Sequence, residues 1–335
     1  MRLLVLGGGG FLGFHVVDAA VAAGHSVTVL SRSGSAQVSG VEVLTADRRG
    51  DVDVLRGRQW DGVVDTFTDD RPGAPAVART AALLSGAVAT YCYVSGMSVY
   101  APDGSAVPDE SAPVRRAGGE PDDDPLQARS MAKLAAERVV AERFDGAVLV
   151  PRVGIMVGPR DPSQRFTWWP VRFLRALTGA AAPVVLGPGA PGRAVQYSDA
   201  RDIARWLVEM TAAGQGGTFN AVGPLRPDSL GEVLGACLDA ARDRLTERRD
   251  VADVPDVTVR WRPDEAHLRE ALVGIGEEDR PLWYPEDQIP QNAIDSSAAA
   301  SAGLTFRSAG ETAAQTLAWA VRHDPEPLSG FAEPS

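Results

Sequence analysis

The sequence predicts an α/β protein with a doubly wound parallel sheet and a smaller C-terminal α/β substrate-binding region. Short apolar segments alternate with segments of helical spacing up to residue 153, and this alternation is typical of parallel strands joined by crossover helices. Near residue 158 the alternation breaks and an aromatic, basic segment begins. These two observations predict a first domain, a second region and a loose tail, at 1–158, 159–322 (with some elements returning to the first sheet) and 323–335.

The individual elements follow in order from apolar spacing. The run at 2–6 stops at glycines and predicts a buried strand, and helical spacing over 11–24 ends at Gly24. Five further segments predict strands, at 26–30, 41–46, 61–67, 89–95 and 146–153. Three segments predict helices, at 75–86, 126–142 and 200–210.

Composition limits the classes of function. The net charge of the 335 residues is −11, and an acidic surface repels nucleic-acid phosphates. The first apolar run is too short for a signal peptide, and no stretch is long and apolar enough to span a membrane. We therefore expect a cytoplasmic monomer or homodimer, with two buried, reduced cysteines. The scattered histidines give no metal-ligand spacing, so no metal site is predicted.

A glycine-rich loop joins the first strand to the first helix. Gly7, Gly10 and Gly13 are spaced G-x-x-G-x-x-G. Glycines let backbone amides approach a pyrophosphate, whose charge is stabilised at the helix N-terminus formed by Phe11 and Leu12. The sequence therefore predicts dinucleotide binding here.

The end of the second strand indicates which dinucleotide. An acid there would bind the ribose 2′-hydroxyl of NAD, whereas this chain has Ser31 and Arg32. An arginine pairs with a 2′-phosphate, so NADP(H) is favoured and NAD(H) is the alternative. Asp47 and Arg48, after the third strand, are predicted to line the adenosine end, with the carboxylate accepting from the adenine amino group.

With these motifs the chain resembles the extended and atypical branches of the short-chain dehydrogenase/reductase superfamily, the NAD-dependent epimerase/dehydratase-like proteins. The resemblance covers about residues 1–320. It rests on the glycine spacing and on the segments "ADR" (46–48), "YVSGMSVY" (93–100), "KLAAE" (133–137), "PRVGIMVGPRDPSQRFTWWPVR" (151–172), "VQYSDARDIARWLV" (195–208) and "TFNAVGP" (218–224). The last three resemble a subgroup that is common in actinomycetes. The resemblance implies a Rossmann fold, a bound nicotinamide cofactor and a small-molecule substrate, with an intermediate of secondary metabolism as one candidate.

The resemblance also implies an active site, from which this chain departs. The lysine that binds the nicotinamide ribose corresponds to Lys133. The proton-transferring tyrosine corresponds to Arg129, and the serine that binds the substrate oxygen corresponds to Gly96. Ser98 shares the strand parity of position 96, so its hydroxyl is expected to face the site.

Arg129 cannot replace a tyrosine as a base, because a guanidinium stays protonated. It can hold an anion or a developing oxyanion. An adjacent cation is expected to lower the pKa of Lys133, and a lysine with a lowered pKa can transfer protons itself. The alternative is that Arg129 faces solvent and the site has decayed.

Further residues are candidates for contact with the reacting groups. Asp69 and Asp70 follow the fourth strand, whose carboxyl end faces the ligand crevice in a doubly wound sheet. We expect Asp69 beside the nicotinamide and Asp70 at the substrate. Aromatic and polar residues of the second region are also predicted to contact a planar or anionic substrate: Arg165, Trp168, Trp169, Arg193, Gln196 and Tyr197.

Three functions remain open from the sequence. The first is an NADP-dependent reductase or epimerase with an altered proton relay. The second is an enzyme that keeps the dinucleotide fold for isomerisation, dehydration or cyclisation. The third is a nucleotide-sensing or RNA-binding relative, which the acidic charge disfavours.

Overall fold

The computed structural model describes residues 1–67, 73–101, 108–116, 125–247, 255–264, 282 and 294–323. Chain contacts divide the protein into two compact units. Unit 1 comprises residues 1–154, 200–225 and 294–305, and unit 2 comprises residues 155–199, 226–293 and 306–335. Two segments beyond the predicted boundary at residue 158 therefore belong to unit 1.

The described residues contain strands and helices in the predicted alternation. The strands are β1 Arg2–Leu6, β2 Ser26–Ser31, β3 Glu42–Thr45, β4 Gly62–Asp65, β5 Thr90–Tyr93, β6 Ser95–Gly96, β7 Ala147–Val153, β8 Met156–Val157, β9 Val184–Pro188, β10 Ala194–Val195, β11 Ser198–Asp199, β12 Gly217–Ala221, β13 Asp228–Ser229 and β14 Thr258–Arg262. The helices are α1 Phe11–Ala22, α2 Gly73–Leu84, α3 Pro125–Arg143, α4 Trp168–Leu177, α5 Ala200–Ala212, α6 Leu230–Thr246, α7 Ser297–Ser301 and α8 Ala309–His323. Short 3-10 helices lie at Asp53–Leu55 and Met97–Val99.

Unit 1 is built on a parallel sheet. Its strand order is β12-β7-β5-β4-β1-β2-β3, with β6 also pairing with β7, and every one of these pairs is parallel. The chain runs outward from β1 through β2 to β3, then returns to place β4 on the other side of β1. The predicted doubly wound sheet is confirmed, and its order reverses between β1 and β4, where such sheets bind ligands at their carboxyl ends.

The apolar run of β1 forms a central strand because it is covered on both faces. Leu3, Leu4, Val5 and Leu6 have no exposed surface, and burying each such side chain contributes roughly 1.5–3 kcal/mol. Helix α1 packs with α5 and α2 packs with α3. The α2–α3 pair covers one face of β1. Leu4 and Leu6 on that face share a core cluster with Val77 of α2 and with Ala136 and Val140 of α3.

Unit 2 has its own core, formed where α4, α6 and α8 pack together. Strand β9 pairs with β14, β8 with β11, and β10 with β13. Helix α6 begins with a capping box, in which Ser229 and Glu232 accept from each other's backbone amides. This matches the predicted smaller α/β region.

Two expectations concern the chain as a whole. Cys92 and Cys237 are both buried and free of disulfides, as predicted. None of the described helices combines the length and the apolar character needed to cross a bilayer.

Candidate functional site

The carboxyl ends of five strands of unit 1 lie in one row. Leu6 of β1 is paired in register with Leu30 and with Asp65, Leu30 is paired with Leu44, and Asp65 is paired with Tyr93. Residues that follow these positions therefore meet at one edge of the sheet, on both sides of the β1–β4 reversal. The candidate site is assembled along this edge.

Three glycines of the first loop are required by close packing. Gly7 has a φ of +96°, and a Cβ there would lie 2.6 Å from the Thr66 Oγ1. A Cβ at Gly8 would lie 2.8 Å from a methyl carbon of Val29, and one at Gly13 would overlap the Gly7 carbonyl oxygen. These positions need glycine for the fold alone.

Gly9 and Gly10 differ from them, because they need no glycine for packing. A Cβ at Gly9 would meet nothing within 4 Å, and one at Gly10 would meet only the Gly7 carbonyl oxygen at 3.6 Å. Both residues are exposed and have ordinary backbone angles for any side chain. Their lack of side chains leaves open space over the loop, which suits a ligand that approaches the backbone.

The N-terminus of α1 has the features of an anion-binding site. No side chain caps the helix at Gly10, and its first turn contains no acidic residue. Among the described residues, none accepts a hydrogen bond from the amides of Phe11, Leu12 or Gly13. Three unpaired amides at a helix N-terminus, beside a loop without side chains, fit a pyrophosphate group.

Thr66 and Gln37 fasten this loop, and the sequence analysis did not identify either residue. The Thr66 hydroxyl lies 3.2 Å from the Leu6 carbonyl oxygen and 3.3 Å from that of Gly7. The Gln37 amide donates to the Gly9 carbonyl oxygen at 3.3 Å. Thr66 directly follows β4, so its hydroxyl joins the two strands at which the order reverses.

The end of β2 carries hydroxyls and a cation. Ser31 and Ser33 share a hydrogen bond of 3.0 Å between their Oγ atoms, and Arg32 is exposed between them. Asp47 is exposed beyond β3, and its pKa is lowered by hydrogen bonds from Arg49, with a smaller contribution from the charge of Arg32. The predicted residues for the adenosine end of a cofactor, Arg48 excepted, are thus accessible at the sheet edge.

The structure corrects the expectation for Arg48. Its side chain is buried and forms two parallel hydrogen bonds with the Asp65 carboxylate, which is fully buried. It also donates to Thr80 at 2.6 Å. The guanidinium is turned into the protein, where its hydrogen-bond partners Asp65 and Thr80 are themselves fully buried.

Lys133 reaches the sheet edge from α3. Its Nζ donates to the carbonyl oxygen of Val94 at 2.8 Å and to that of Phe67 at 3.2 Å. It also lies 5.4 Å from the centre of the Tyr93 ring. The ammonium therefore lies just beyond the carboxyl ends of β4 and β5. The lysine as a whole is buried and only 7% exposed.

Lys133 is also the only lysine of the chain. The 33 residues counted as Lys or Arg include 32 arginines. Arginine supplies every other basic side chain counted there. Lysine differs from it in ending in a compact ammonium with three donors, in place of a planar fork. This signal was present in the sequence and was missed.

Ser98 lies close to the space that a side chain at position 96 would occupy. A Cβ built on Gly96 would lie 4.0 Å from the Ser98 Oγ. The basis of the prediction was wrong, because residues 97–99 form a 3-10 helix rather than a continued strand. The turn brings the half-buried Ser98 hydroxyl back toward position 96, beside α3.

Arg129 is exposed on α3, one turn before the buried Lys133. No hydrogen bond or ion pair joins its guanidinium to another described residue. Its charge is thus available to a ligand. Exposure alone suits both a residue at the mouth of a site and an ordinary surface arginine, so its role stays a prediction.

The residues of unit 2 that were predicted to contact substrate fall into two groups, which are partly accessible or buried. Arg165, Trp168 and Arg193 are half-buried and have part of their surface accessible. Trp169 has no exposed surface and packs in the core of unit 2, which corrects the expectation that it contacts substrate. Gln196 is buried, and the buried Tyr197 donates from its hydroxyl to Asp228 at 3.2 Å.

The segment that contains Arg165 has a constrained backbone. Arg160 and Gln164 have positive φ angles of 74° and 52°. Between them Asp161 is buried, accepts from Ser163 through one carboxylate oxygen and has its pKa raised by burial. The segment is therefore tightly folded within unit 2.

Two predicted residues, Asp69 and Asp70, lie outside the described residues. The described ranges also contain no group of three or more His, Cys, Asp or Glu side chains arranged to hold a metal ion.

An open parallel sheet, a glycine-rich loop at its order reversal and a helix N-terminus with free amides define the class of dinucleotide-binding α/β proteins. Comparison with family models gives the particular family. The model of the NAD dependent epimerase/dehydratase family matches residues 3–222. The chain belongs to this family of enzymes, which confirms the resemblance inferred from its motifs.

Solved structures support the same fold. The UDP-N-acetylglucosamine 4-epimerase from Bacillus cereus matches with a TM-score of 0.65 at 16% identity, over 98% of this chain and 99% of that one. The UDP-glucose 4-epimerase from Thermus thermophilus, solved with NAD, matches with a TM-score of 0.61 at 18% identity, over 95% and 98%. An NAD-dependent NDP-hexosamine 5,6-dehydratase involved in tunicamycin biosynthesis matches with a TM-score of 0.63 at 16% identity, over 99% and 100%. No curated protein matches the sequence.

Proposed function

We propose that this protein is an NADP(H)-preferring enzyme of reductase or epimerase type that acts on a small molecule, with Arg129 and Lys133 in place of the usual tyrosine and lysine. One observation carries the proposal. The only lysine of the chain is held by two backbone carbonyls at the sheet edge that also carries the open glycine loop. A lysine placed there can bind the ribose next to a nicotinamide.

The chain's residues fit a dinucleotide along this edge. The amides of Phe11, Leu12 and Gly13 would bind the pyrophosphate, and the bare surface of Gly9 and Gly10 would allow its close approach. Asp47 would accept from the adenine amino group. Its lowered pKa favours the carboxylate form, in which both oxygens accept hydrogen bonds.

The preference for NADP(H) rests on the end of β2. Ser31, Arg32 and Ser33 offer hydroxyls and a guanidinium, and none of the three is acidic. Such a group suits a phosphate better than a ribose 2′-hydroxyl, which needs an acceptor. Similar structures were solved with NAD, so this preference would distinguish the present chain from them.

A bound nicotinamide would supply or accept hydride at a substrate carbon. The chain's own part is to hold the substrate oxygen and move its proton. The Ser98 hydroxyl would donate to that oxygen in place of the serine that is absent at position 96. Lys133 would bind the ribose and act as acid or base, while Arg129 would stabilise negative charge on the substrate.

The substrate class follows from the exposed cation one turn before Lys133. Arg129 is exposed, and no other described residue pairs with its guanidinium. A guanidinium in this place suits an anionic small molecule, and the similar epimerases are named for uridine diphosphate sugars. We therefore propose an anionic substrate of the nucleoside diphosphate sugar type or an acidic intermediate of secondary metabolism.

Non-redox chemistry is the second candidate. The observation that favours it is the replacement of two active-site hydroxyls, by Arg129 and Gly96. Under turnover, a redox enzyme with a bound reduced cofactor shows a change in its absorbance at about 340 nm. Turnover without any such change, at enzyme concentrations comparable to the cofactor, would favour isomerisation or dehydration.

The cofactor preference is tested by titration calorimetry of the wild type and of Arg32→Ala with NADPH and NADH. Loss of charged hydrogen bonds to the 2′-phosphate should weaken NADPH binding by roughly 1–3 kcal/mol. NADH lacks that phosphate, so its affinity should change little. The exposed Arg56→Ala serves as the control for loss of a surface charge, because its guanidinium bonds to Asp53 and not to a residue assigned to the cofactor. Equal losses for both cofactors in Arg32→Ala would contradict the preference.

A further inference from the structure

Beneath the candidate site lies a buried ion pair. Asp65, the last residue of β4, has no exposed surface, and both of its carboxylate oxygens accept from Arg48. Tyr91 donates to the same carboxylate at 2.6 Å, and Thr80 accepts from Arg48. Burial is the largest single influence and acts to lower the pKa of Arg48, but the charges and hydrogen bonds of Asp65 and Tyr91 together outweigh it and raise that pKa. The Arg48 guanidinium therefore stays protonated.

The pair contacts Phe67, which lies two residues beyond Asp65. The Asp65 Oδ1 accepts from the Phe67 amide at 3.0 Å. The Arg48 guanidinium lies 4.5 Å from the centre of the Phe67 ring, within the range of a cation–π contact. Both members of the pair thus fix Phe67, one through its backbone and the other through its side chain.

Phe67 in turn fixes Lys133. Its carbonyl oxygen is a backbone acceptor of the Lys133 ammonium. The Val94 carbonyl is another, and the Val94 amide donates to the Asp65 carbonyl oxygen at 2.9 Å. Phe67 and Val94, whose carbonyls accept from Lys133, are therefore each hydrogen-bonded to Asp65.

We infer that the buried Arg48–Asp65 pair is a positioning device for Lys133, which fixes the Phe67 carbonyl and thereby the place of the ammonium at the sheet edge. Arg48 and Asp65 are positioning residues, because neither reaches the surface where a ligand would bind. A buried ion pair adds little net stability compared with apolar residues of similar size, so its contribution to this protein is one of geometry. The effect on catalysis rests on the proposed function, whereas the effect on Lys133 does not.

The experiment uses the fact that Lys133 is the only lysine. Full-length protein that contains ¹³Cε-labelled lysine gives one side-chain NMR signal, with no assignment problem. Its chemical shift, and the pH at which it titrates, report the environment of the Lys133 ammonium directly and require no substrate. The same sample can be titrated with NADPH.

The test variant is Arg48→Met with Asp65→Leu. Replacing both members avoids an uncompensated buried charge, and the Tyr91 hydroxyl keeps Thr80 as a partner at 3.2 Å. The matched control is Tyr91→Phe, which removes a hydrogen bond from the other oxygen of Asp65 and leaves the bond to Phe67 intact. A second test variant, Phe67→Leu, keeps the carbonyl and removes only the ring below Arg48.

In the double variant, the Lys133 signal should move toward that of free lysine and its titration should change. NADPH should bind about tenfold more weakly, which corresponds to the loss of one well-placed interaction. Phe67→Leu should change the Lys133 signal in the same direction but by a smaller amount. If the double variant does not fold, the Lys133 signal of Phe67→Leu tests the inference instead. Tyr91→Phe should leave the signal and the NADPH affinity at their wild-type values.

Two results would overturn the inference. One is a wild-type Lys133 signal in the double variant, or in Phe67→Leu if the double variant does not fold. The other is an equal change in Tyr91→Phe, which would show general loosening of the core. The proposed function fails in a different way: the wild-type Lys133 signal would then not respond to saturating NADPH or NADH, whatever the variants show.

Discussion

Arg129 stands one helical turn before Lys133, at the position where the family resemblance implies a tyrosine. The two cations differ in environment, since Lys133 is hydrogen-bonded to backbone carbonyls and Arg129 is exposed. If the arginine had merely replaced a lost tyrosine, the rest of the site would still suit a tyrosine, and restoring that tyrosine would restore activity. The space at Gly96 allows this idea to be tested.

Gly96 can accept a serine without strain. Its φ of −150° is extended, and a Cβ would meet only the Val153 carbonyl oxygen at 3.6 Å and the Ser98 Oγ at 4.0 Å. The double change Arg129→Tyr and Gly96→Ser therefore restores the family pattern without disturbing the fold. If Arg129 belongs to a different mechanism, the change should lower kcat/KM by about tenfold or more, equivalent to roughly 1.4 kcal/mol.

The measurement is the oxidation of NADPH with any carbonyl substrate that the wild type reduces. Lys133→Met is the control for loss of the site and should abolish activity, while Arg129→Lys should lose much of it because a point charge does not replace a bidentate clamp. An increase in turnover for the double change would show that the site is a damaged reductase.

At the scale of elements, the loop between β1 and α1 separates two uses of glycine. Gly13 is needed for the approach of α1 to β1, whereas Gly10 borders open space. Sequence spacing alone treats them as equal members of one motif. The structure predicts that a substitution at Gly13 impairs folding, whereas a substitution at Gly10 impairs ligand binding.

Gly10→Val should abolish NADPH binding and leave the melting temperature nearly unchanged, because the new side chain enters only the space over the loop. Gly13→Ala should destabilise the fold by roughly 1–3 kcal/mol or more, because the methyl group overlaps the Gly7 carbonyl. Calorimetry and thermal unfolding measure the two effects. Wild-type NADPH affinity in folded Gly10→Val would show that the loop is only a structural turn.

The elements of unit 1 were predictable where the information is local. Apolar runs, helical spacing and the glycine loop each lie within one stretch of chain, and the structure places strands and helices there. The strand Gly217–Ala221 joins the sheet from a distant segment, so only the tertiary fold reveals it as a sheet edge.

The site was less predictable, because its contacts join residues that are far apart in sequence. The role of Arg48 depends on Asp65, which is 17 positions away on another strand, and no local pattern shows a buried partner. Ser98 was located by an incorrect argument, because a strand gives way to a 3-10 helix after Gly96. Lys133, by contrast, was identifiable both by its motif and by its being the only lysine.

At the scale of the whole molecule, the predicted cofactor residues all lie in unit 1, as do Lys133 and Ser98. A ligand that binds only the folded state stabilises the unit that holds it, and the gain depends on its concentration relative to Kd. Thermal unfolding can therefore show where the cofactor binds before any substrate is known.

At an NADPH concentration of about 100 times Kd, unit 1 should gain roughly 2.7 kcal/mol. For a domain of this size that corresponds to a rise in Tm of about 5–10 °C, measured by differential scanning calorimetry. At the same concentration NADH should give a smaller rise, and NADPH should give none in Gly10→Val. Equal shifts for NADPH in the wild type and in that variant would place binding elsewhere.

The buried position of the single lysine also has a consequence for proteolysis. A lysine-specific protease has one bond to cut, after Lys133, and the native helix α3 protects it because the side chain is buried against the sheet edge. Cleavage then requires local opening of the helix that carries this lysine. One digestion, giving fragments 1–133 and 134–335, would report how often this site opens and how strongly each ligand keeps it closed.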